Sequence, residues 1–356
     1  MLTLSQPNFQ IPTLLAGKTG MIVSPTAFEK NETGLSLKPV GAGPFQLTSY
    51  TENASATLVR FPGFWNAGQI HIANFELYPL PDASTVVAGL ESGQFNVASI
   101  PGSAVAAAKE AGLQVQVIDS LVVAVLDVND SIAPFDDDNV VLALKYAVDR
   151  AALLQTAQFG YGDVAYQPFP KGYVGYNESV GAPYAVNAAK AKTLLAASKY
   201  GPNPAVAITT STAAGVPEQL QSQLQAVGFN ASIKVIPEAQ FTELVYIQHS
   251  EQLTVDGFAG RDSAVQAFQV LFGEQGLLNP GRHAYPEVQA ELTQVNETPL
   301  DSAKYPGLLQ QATATAVKQA PNVFLYTEPR ILARASGVSA IPEYLVVQRF
   351  EGVTVS

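Results

Sequence analysis

The most apolar stretch of this 356-residue chain is Leu121-Val122-Val123-Ala124-Val125-Leu126, bounded by Asp119 and Asp127. Its length decides what it can become. A helix crossing a bilayer needs ~18 or more consecutive apolar residues, and no uninterrupted run in the chain approaches that. A short β-branched run between acidic residues reads instead as a buried strand. The chain therefore reads as a soluble protein, long enough for two domains and for a high buried fraction.

Composition narrows the function classes. Hydrophobic residues make up 47% and charged residues 14%, apolar for a soluble protein. The net charge is −11 and the 19 basic residues are scattered, with no run of them. That argues against a nucleic-acid partner, because displacing counterions from phosphates needs clustered Lys and Arg. The absence of cysteine removes disulfides, thiolate metal sites and cysteine nucleophiles. It suits an exported protein, although residues 1–30 lack the basic-then-apolar pattern of a signal peptide and there is no lipid-attachment cysteine.

Strands and helices alternate along the chain. Residues 1–38 are broken by Pro7, Pro12 and Pro25, with Met21–Pro25 a short strand. Phe45–Tyr50 and Ala56–Arg60 flank Thr51-Glu52-Asn53 as a hairpin, and Ile72–Tyr78 is a third strand. A helix capped by Asp82 or Ser84 runs through Leu90 and stops at Gly93. A second spans Ser103–Ala111, and Val115–Ile118 returns to strand, the rhythm of an α/β lobe. Val140, Val141, Leu144, Ala147, Val148, Ala151 and Leu154 then recur at helical spacing, predicting one helix of about four turns. Asp136-Asp137-Asp138 precede it, where they favour its positive N-terminus. Residues 159–183 form an irregular stretch rich in Gly, Pro and Tyr. Helices Ala188–Lys199, Pro217–Val227 and Glu238–Gln248 alternate with strands Ala205–Thr210, Ala231–Ile236 and Thr254–Phe258, giving a second α/β lobe. Helices Pro286–Val295 and Asp301–Gln319, the latter interrupted by Pro306, precede strands Val323–Thr327 and Leu345–Val347.

No catalytic constellation emerges. Gly41-Ala42-Gly43 lacks the third glycine of a dinucleotide loop, since position 46 is Gln46 and the segment leads into a strand. His71, His249 and His283 sit on separate elements with no carboxylate at ligand spacing, so no metal site is expected. No nucleophile elbow, His-Glu-x-x-His or P-loop occurs. The chain is thus expected to be no enzyme and to carry no cofactor. Trp65, the single tryptophan, reads as a core anchor, with ligand contact the alternative. Tyr161, Tyr166, Phe169, Tyr173, Tyr176 and Tyr184 either line a cleft or fasten the irregular stretch down.

The sharpest site candidate is Asp256-Gly257-Phe258-Ala259-Gly260-Arg261-Asp262. A strand that ends in small residues and then a charged pair puts those charges at a sheet's carboxyl edge, where α/β folds bind ligands. Arg261 there clamps a carboxylate through charge-assisted hydrogen bonds, each worth roughly 1.5–3 kcal/mol. The competing reading pairs Arg261 with Asp262 or Asp256.

Two longer segments carry a resemblance. Pro39-Val40-Gly41-Ala42-Gly43-Pro44-Phe45, running on to Phe64-Trp65, is followed by Asn129–Arg150, and together they resemble the family 5 extracellular solute-binding proteins. These are receptors that feed peptides, nickel and other solutes to ABC importers. Asp82-Ala83-Ser84-Thr85, Leu90-Glu91-Ser92-Gly93, Tyr161-Gly162, Pro286-Glu287-Val288, Ala320-Pro321 and Phe324-Leu325-Tyr326 extend the likeness from about Thr13 to the end. It implies an α/β, two-lobed periplasmic-binding-protein-like fold of type II, cluster C, with a hinge. The first segment lies deep inside family members but starts at residue 39 here. Residues 1–38 are therefore expected to be a remnant of the N-terminal portion, 39–128 and 327–356 an incomplete lobe I, and 129–326 lobe II. Loss of the opening strand would leave a sheet edge unpaired, which invites association.

The resemblance also assigns roles. The hinge strands would be Leu126–Asn129 and Phe324–Thr327, with Asn129 and Thr327 as hinge residues. Peptide-binding relatives hold a peptide's amino terminus with an acidic residue in a Trp-x-x-Asp-Tyr setting. Here Phe258 stands where that Trp lies and Arg261 where that Asp lies, which shifts the expected ligand toward an anionic or carboxylate-bearing solute. Arg261, Phe258, Asp262, Tyr161 and Leu126 are the expected ligand-binding residues. The implied function is an extracytoplasmic receptor, in the periplasm or at the cell surface, that captures a peptide-like or carboxylate-bearing solute between two lobes and delivers it to an ABC permease. Its export signal would lie upstream of Met1. The alternatives are a degenerate interaction protein of the same fold and, behind it, a hydrolase.

Overall fold

Strand formation around the apolar run at 121–126 organises the larger part of the chain. The computed structural model describes residues 3–211, 215–261 and 263–356. The strands formed among them are β1 (Phe45–Thr51), β2 (Ser55–Arg60), β3 (Asn74–Leu77), β4 (Val97–Ser99), β5 (Gln114–Ile118) and β6 (Val123–Val128). They continue with β7 (Ala205–Thr210), β8 (Asn230–Val235), β9 (Leu253–Phe258), β10 (Val323–Thr327) and β11 (Arg330–Arg334). Two compact units divide the chain, one of Met1–Leu14 with Ser120–Glu328 and a smaller one of Leu15–Asp119 with Pro329–Ser356.

The larger unit is built on a five-stranded mixed sheet in the order β10-β6-β9-β7-β8. β10, β6 and β9 are antiparallel neighbours, whereas β9, β7 and β8 run parallel. Every residue of β6 is buried. Alternation along the strand sends Ala124, Leu126 and Val128 into one hydrophobic cluster, with Leu144, Leu153, Leu195 and Leu224. Val123 and Val125 enter the cluster on the other face, with Phe258, Phe268, Phe272 and Phe324. A strand covered on both faces has no polar side to show, which is why its sequence lacks the usual alternation. Asp127, which borders the apolar run in sequence, is a member of β6 and is only 2% exposed.

The helical pattern over 140–154 resolves into two helices, Asp138–Ala147 and Arg150–Gln158, rather than one. Val148 is extended, and Asp149 caps the second helix by accepting from the Ala152 N–H at 3.0 Å. A local cap thus overrides a continuous apolar period. Pro306 does not interrupt a helix but lies in the first turn of one, Tyr305–Gln319, where its missing N–H is tolerated. Helix Ala264–Phe272, which the sequence reading did not propose, buries Ala264, Val265, Ala267, Phe268, Leu271 and Phe272 along one stripe and leaves Gln269 exposed. No helix among the described residues is long and apolar enough to cross a membrane.

The aromatic stretch after residue 159 is fastened to this unit. Phe169 is buried, stacks on Tyr173 with ring centroids 5.1 Å apart, and abuts Phe268 at 5.6 Å. Arg150, buried, donates to the carbonyls of Phe324 (2.7 Å) and Tyr184 (3.1 Å) and lies 4.5 Å from the Tyr166 ring centroid. Residues 163–165 then pair along β10, through Thr327 N–H to Asp163 O (2.8 Å) and Ala165 N–H to Leu325 O (3.0 Å). That outer flank of β10 is covered.

The smaller unit holds two antiparallel sheets. β1-β2-β3 form a meander in which no residue is fully buried. β11 lies between β4 and β5, which are the outer strands among the described residues. Ile118 and Leu332 pack there with Val338, Ile341 and Val353. Residues 345–347 are bends rather than a strand, and around residues 21–25 only an isolated bridge, Val23 to Gly41, remains. Trp65 is 86% exposed with its ring 5.6 Å from Phe64, so it is not the core anchor its sequence context suggested.

Lys145 yields a stability prediction. Its ammonium is buried, donates to Ala320 O at 2.6 Å and stands 4.7 Å from the Tyr184 ring centroid. Burial is the main cause that depresses its pKa to about 8, with Arg150 nearby adding to the effect. The unfolded chain then binds more protons than the native state between about pH 8 and the ordinary lysine value of ~10.4, so stability rises with pH across that window. Urea titrations at pH 8 and 10 are expected to show a gain of on the order of 1–3 kcal/mol in the wild type and none in Lys145→Met. Equal pH slopes in the two proteins would contradict this assignment.

Candidate functional site

One end of the five-stranded sheet gathers the chemistry. β9 runs antiparallel to β6 with Phe258 opposite Val123, and Thr327 of β10 faces Val123 from the other side. After Phe258 the chain passes Gly260 at φ +68, where a Cβ would sit 2.3 Å from Leu121 Cβ and 2.7 Å from Leu121 O. Only glycine permits that close approach, and it delivers Arg261 to the edge of the sheet. The Arg261 guanidinium donates to Gly260 O at 2.6 Å and stands 5.8 Å from the Phe258 ring centroid. Among the described residues no carboxylate lies within ion-pair distance of it. Asp256, one partner considered for Arg261, is engaged elsewhere: the Tyr246 hydroxyl donates to Asp256 Oδ2 at 2.5 Å.

The other expected site residues fall in different places. Phe258 is 1% exposed and belongs to the second core cluster. Leu126 points to the opposite face of the sheet and into the first cluster, fully buried. Tyr161 is half-buried and follows a turn in which Phe159 and Gly160 both take positive φ; its N–H donates to Gln158 O at 3.0 Å. Asp163 then bonds through its N–H to Thr327 Oγ1 at 2.8 Å, which holds the Tyr161 segment beside the end of β10. Asn129 lies at the far end of β6, buried, its amide donating to His249 O at 2.8 Å. Asp262 lies outside the described residues. The sheet end thus brings together Arg261, Phe258, Thr327 and the Tyr161 segment, but neither Asn129 nor the Leu126 side chain.

Two further acidic groups near this sheet escaped the sequence reading. Glu328 follows β10, its N–H donating to Val122 O (2.9 Å) and its carbonyl accepting from Ser120 Oγ (2.6 Å). Burial alone raises its carboxyl above the usual range. Asp127 accepts from Asn322 Nδ2 at 3.0 Å through Oδ1, while Oδ2 has no partner among the described residues. Its pKa is raised, first by burial and then by the charge of Asp256, itself raised chiefly by burial. At the far end of β6, His283 Nε2 lies 3.2 Å from Asp130 Oδ1, and the Arg282 guanidinium donates to His249 Nε2. Neither pairing was visible from sequence spacing, since the partners sit on separate segments.

With this geometry in view, the comparisons with known proteins place the chain. Residues 1–276 match the profile of the bacterial extracellular solute-binding proteins, family 5 Middle. The chain belongs to this family and is a solute-binding protein. It is 27% identical over 353 residues to the glutathione-binding protein GsiB of Salmonella paratyphi A, covering 95% of this chain and 68% of that protein. The GsiB of Shigella flexneri is 26% identical over the same shares. Among solved structures, the periplasmic binding protein DppA from Helicobacter pylori in complex with peptide STSA gives a TM-score of 0.85 at 21% identity, over 99% of this chain and 71% of that one. The binding protein AgaA from A. tumefacien R10, in complex with agropinic acid, gives 0.85 at 24%, over 100% and 75%. At these identities the structural likeness establishes the fold alone: two α/β units of the family's kind.

Two substitutions probe the sheet end. Gly260→Ala meets both a positive φ and the Leu121 carbonyl, and should cost roughly 1–3 kcal/mol in a denaturant titration; an unchanged midpoint would show that the close approach does not exist. Asp127 has a folded pKa above its unfolded value, so its contribution favours folding at low pH and is lost as pH rises through the elevated folded pKa. Asp127→Asn is therefore expected to melt higher than wild type at pH 7.5, with the advantage vanishing near the ordinary carboxylate pKa of ~4. A variant that melts lower at both pH values would overturn this.

Proposed function

We propose that this solute-binding protein captures a peptide-like or carboxylate-bearing solute, with Arg261 as the residue that holds the carboxylate. The observation that carries the reading is the Arg261 guanidinium at the sheet edge, set against the Phe258 ring with no carboxylate partner among the described residues. A cation placed this way retains free donors for a carboxylate, and a bidentate pair fixes orientation as well as adding attraction. Phe258 gives the guanidinium an apolar backing. Tyr161, held beside Thr327, supplies ring surface and a hydroxyl at the same sheet end, Leu126 fixes the strand between, and Asp262, next to Arg261 in the chain, is the remaining candidate contact. The glutathione-binding relatives support an acidic peptide as the solute class.

The protein acts in this reading by binding and release without catalysis, outside the cytoplasm, delivering its solute to an ABC permease in the membrane. Thr327 immediately precedes Glu328, the last residue of the larger unit, and takes the role of a hinge residue. Solute would stabilise the closed state by its differential affinity for it.

Thermal melting tests the reading. Glutathione or the dipeptide Ala-Glu is expected to raise the melting temperature of the wild type in a saturable way. Arg261→Ala should weaken that binding on the order of ten- to a hundredfold while keeping its ligand-free melting temperature. If Arg261→Ala binds as tightly as wild type, the site assignment fails.

A further inference from the structure

We infer that Glu328 is a second recognition residue of the same site, accepting the ammonium of a zwitterionic solute whose carboxylate Arg261 holds. This rests on the reading of Arg261 above and extends it to the other end of the ligand.

Placement is the first support. Phe258 and Thr327 flank Val123 on its two sides, so with strands ~4.8 Å apart their backbones stand ~10 Å apart at the same level of the sheet. Arg261 continues from the first of these strands and Glu328 from the second. Both are tied to the segment between them: Gly260 lies against Leu121, and Glu328 is bonded to Val122 and Ser120. The two charges therefore belong to one rigid edge rather than to independent loops.

Charge is the second support. Burial raises the Glu328 carboxyl, and among the described residues no hydrogen bond or ion pair engages its side-chain oxygens. A desolvated carboxylate without a partner is unfavourable, and a cation brought by a ligand removes that penalty. Arg261 does not neutralise it, because the two do not form an ion pair. An unpaired cation and an unpaired, partly buried anion on one sheet end make a dipolar surface. It favours a molecule with both charges, repels a plain dicarboxylate at Glu328 and repels a plain amine at Arg261.

Calorimetric titration with glutathione, N-acetylglutathione and glutathione diethyl ester separates the two residues. The wild type should bind glutathione on the order of ten- to a hundredfold more tightly than the N-acetyl form. Glu328→Gln should erase that preference while still discriminating against the diethyl ester, which lacks free carboxylates. Arg261→Ala should show the reverse pattern. The ligand-free melting temperature of Glu328→Gln should not fall, since an unpartnered buried charge is removed. Equal wild-type affinity for glutathione and its N-acetyl form, or an amine preference that survives Glu328→Gln, would overturn the role of Glu328 alone. Equal wild-type affinity for glutathione and its diethyl ester would overturn Arg261 and leave the amine comparison to stand by itself. No binding of any of the three would overturn both.

Discussion

The complete burial of β6 is the constraint from which the larger unit follows. Val123–Val128 has a strand on each side and a hydrophobic cluster on each face. A strand so enclosed cannot slip by one residue without exchanging its two sets of side chains between cores of different shape. Register is therefore fixed, and with it the pairing of Val123 with Phe258 and Thr327. Those pairings decide where β9 and β10 end, and hence where Arg261 and Glu328 emerge. The site is a consequence of packing that lies beneath it.

The same enclosure exposes a hierarchy among the buried charges of this unit. Arg150 is the best compensated, with carbonyls of several segments and the Tyr166 ring around its guanidinium. Lys145 has one carbonyl and one ring. Asp127 has a single amide donor, and a neighbouring carboxylate adds to the strain. Glu328 has no side-chain partner among the described residues. Structural charges are thus met by the backbone, which cannot leave. The charge left unmet stands at the sheet edge, and in the proposed reading a ligand supplies the partner that the fold does not provide.

Much of this was legible in the sequence, and the failures have physical causes. The hairpin of β1 and β2, the Asp82 cap and the strands at 205–210, 230–235 and 253–258 follow from local propensity and turn chemistry. The break at Val148–Asp149 was hidden because the apolar residues on either side keep helical spacing across it. Helix Ala264–Phe272 does carry an apolar stripe at helical spacing, but at 9 residues directly behind the Arg261 turn it is short for a reading by period. Trp65 misled because a large aromatic is usually buried, a tendency and not a rule. For the site, Arg261 was visible because a strand, small residues and a charge follow one another in sequence. Glu328 was not, since its place is fixed by bonds from its backbone to Val122 and Ser120, more than two hundred residues away in the chain.

The central claim, that the sheet end around Arg261 receives the solute's carboxylate, is tested most directly by the Arg261 side-chain Nε–Hε resonance during titration with glutathione. A saturable downfield shift of that resonance, accompanied by the backbone amides of Phe258–Arg261 and Tyr326–Glu328, is the predicted result. Saturable binding that leaves this resonance and those amides unmoved would contradict it.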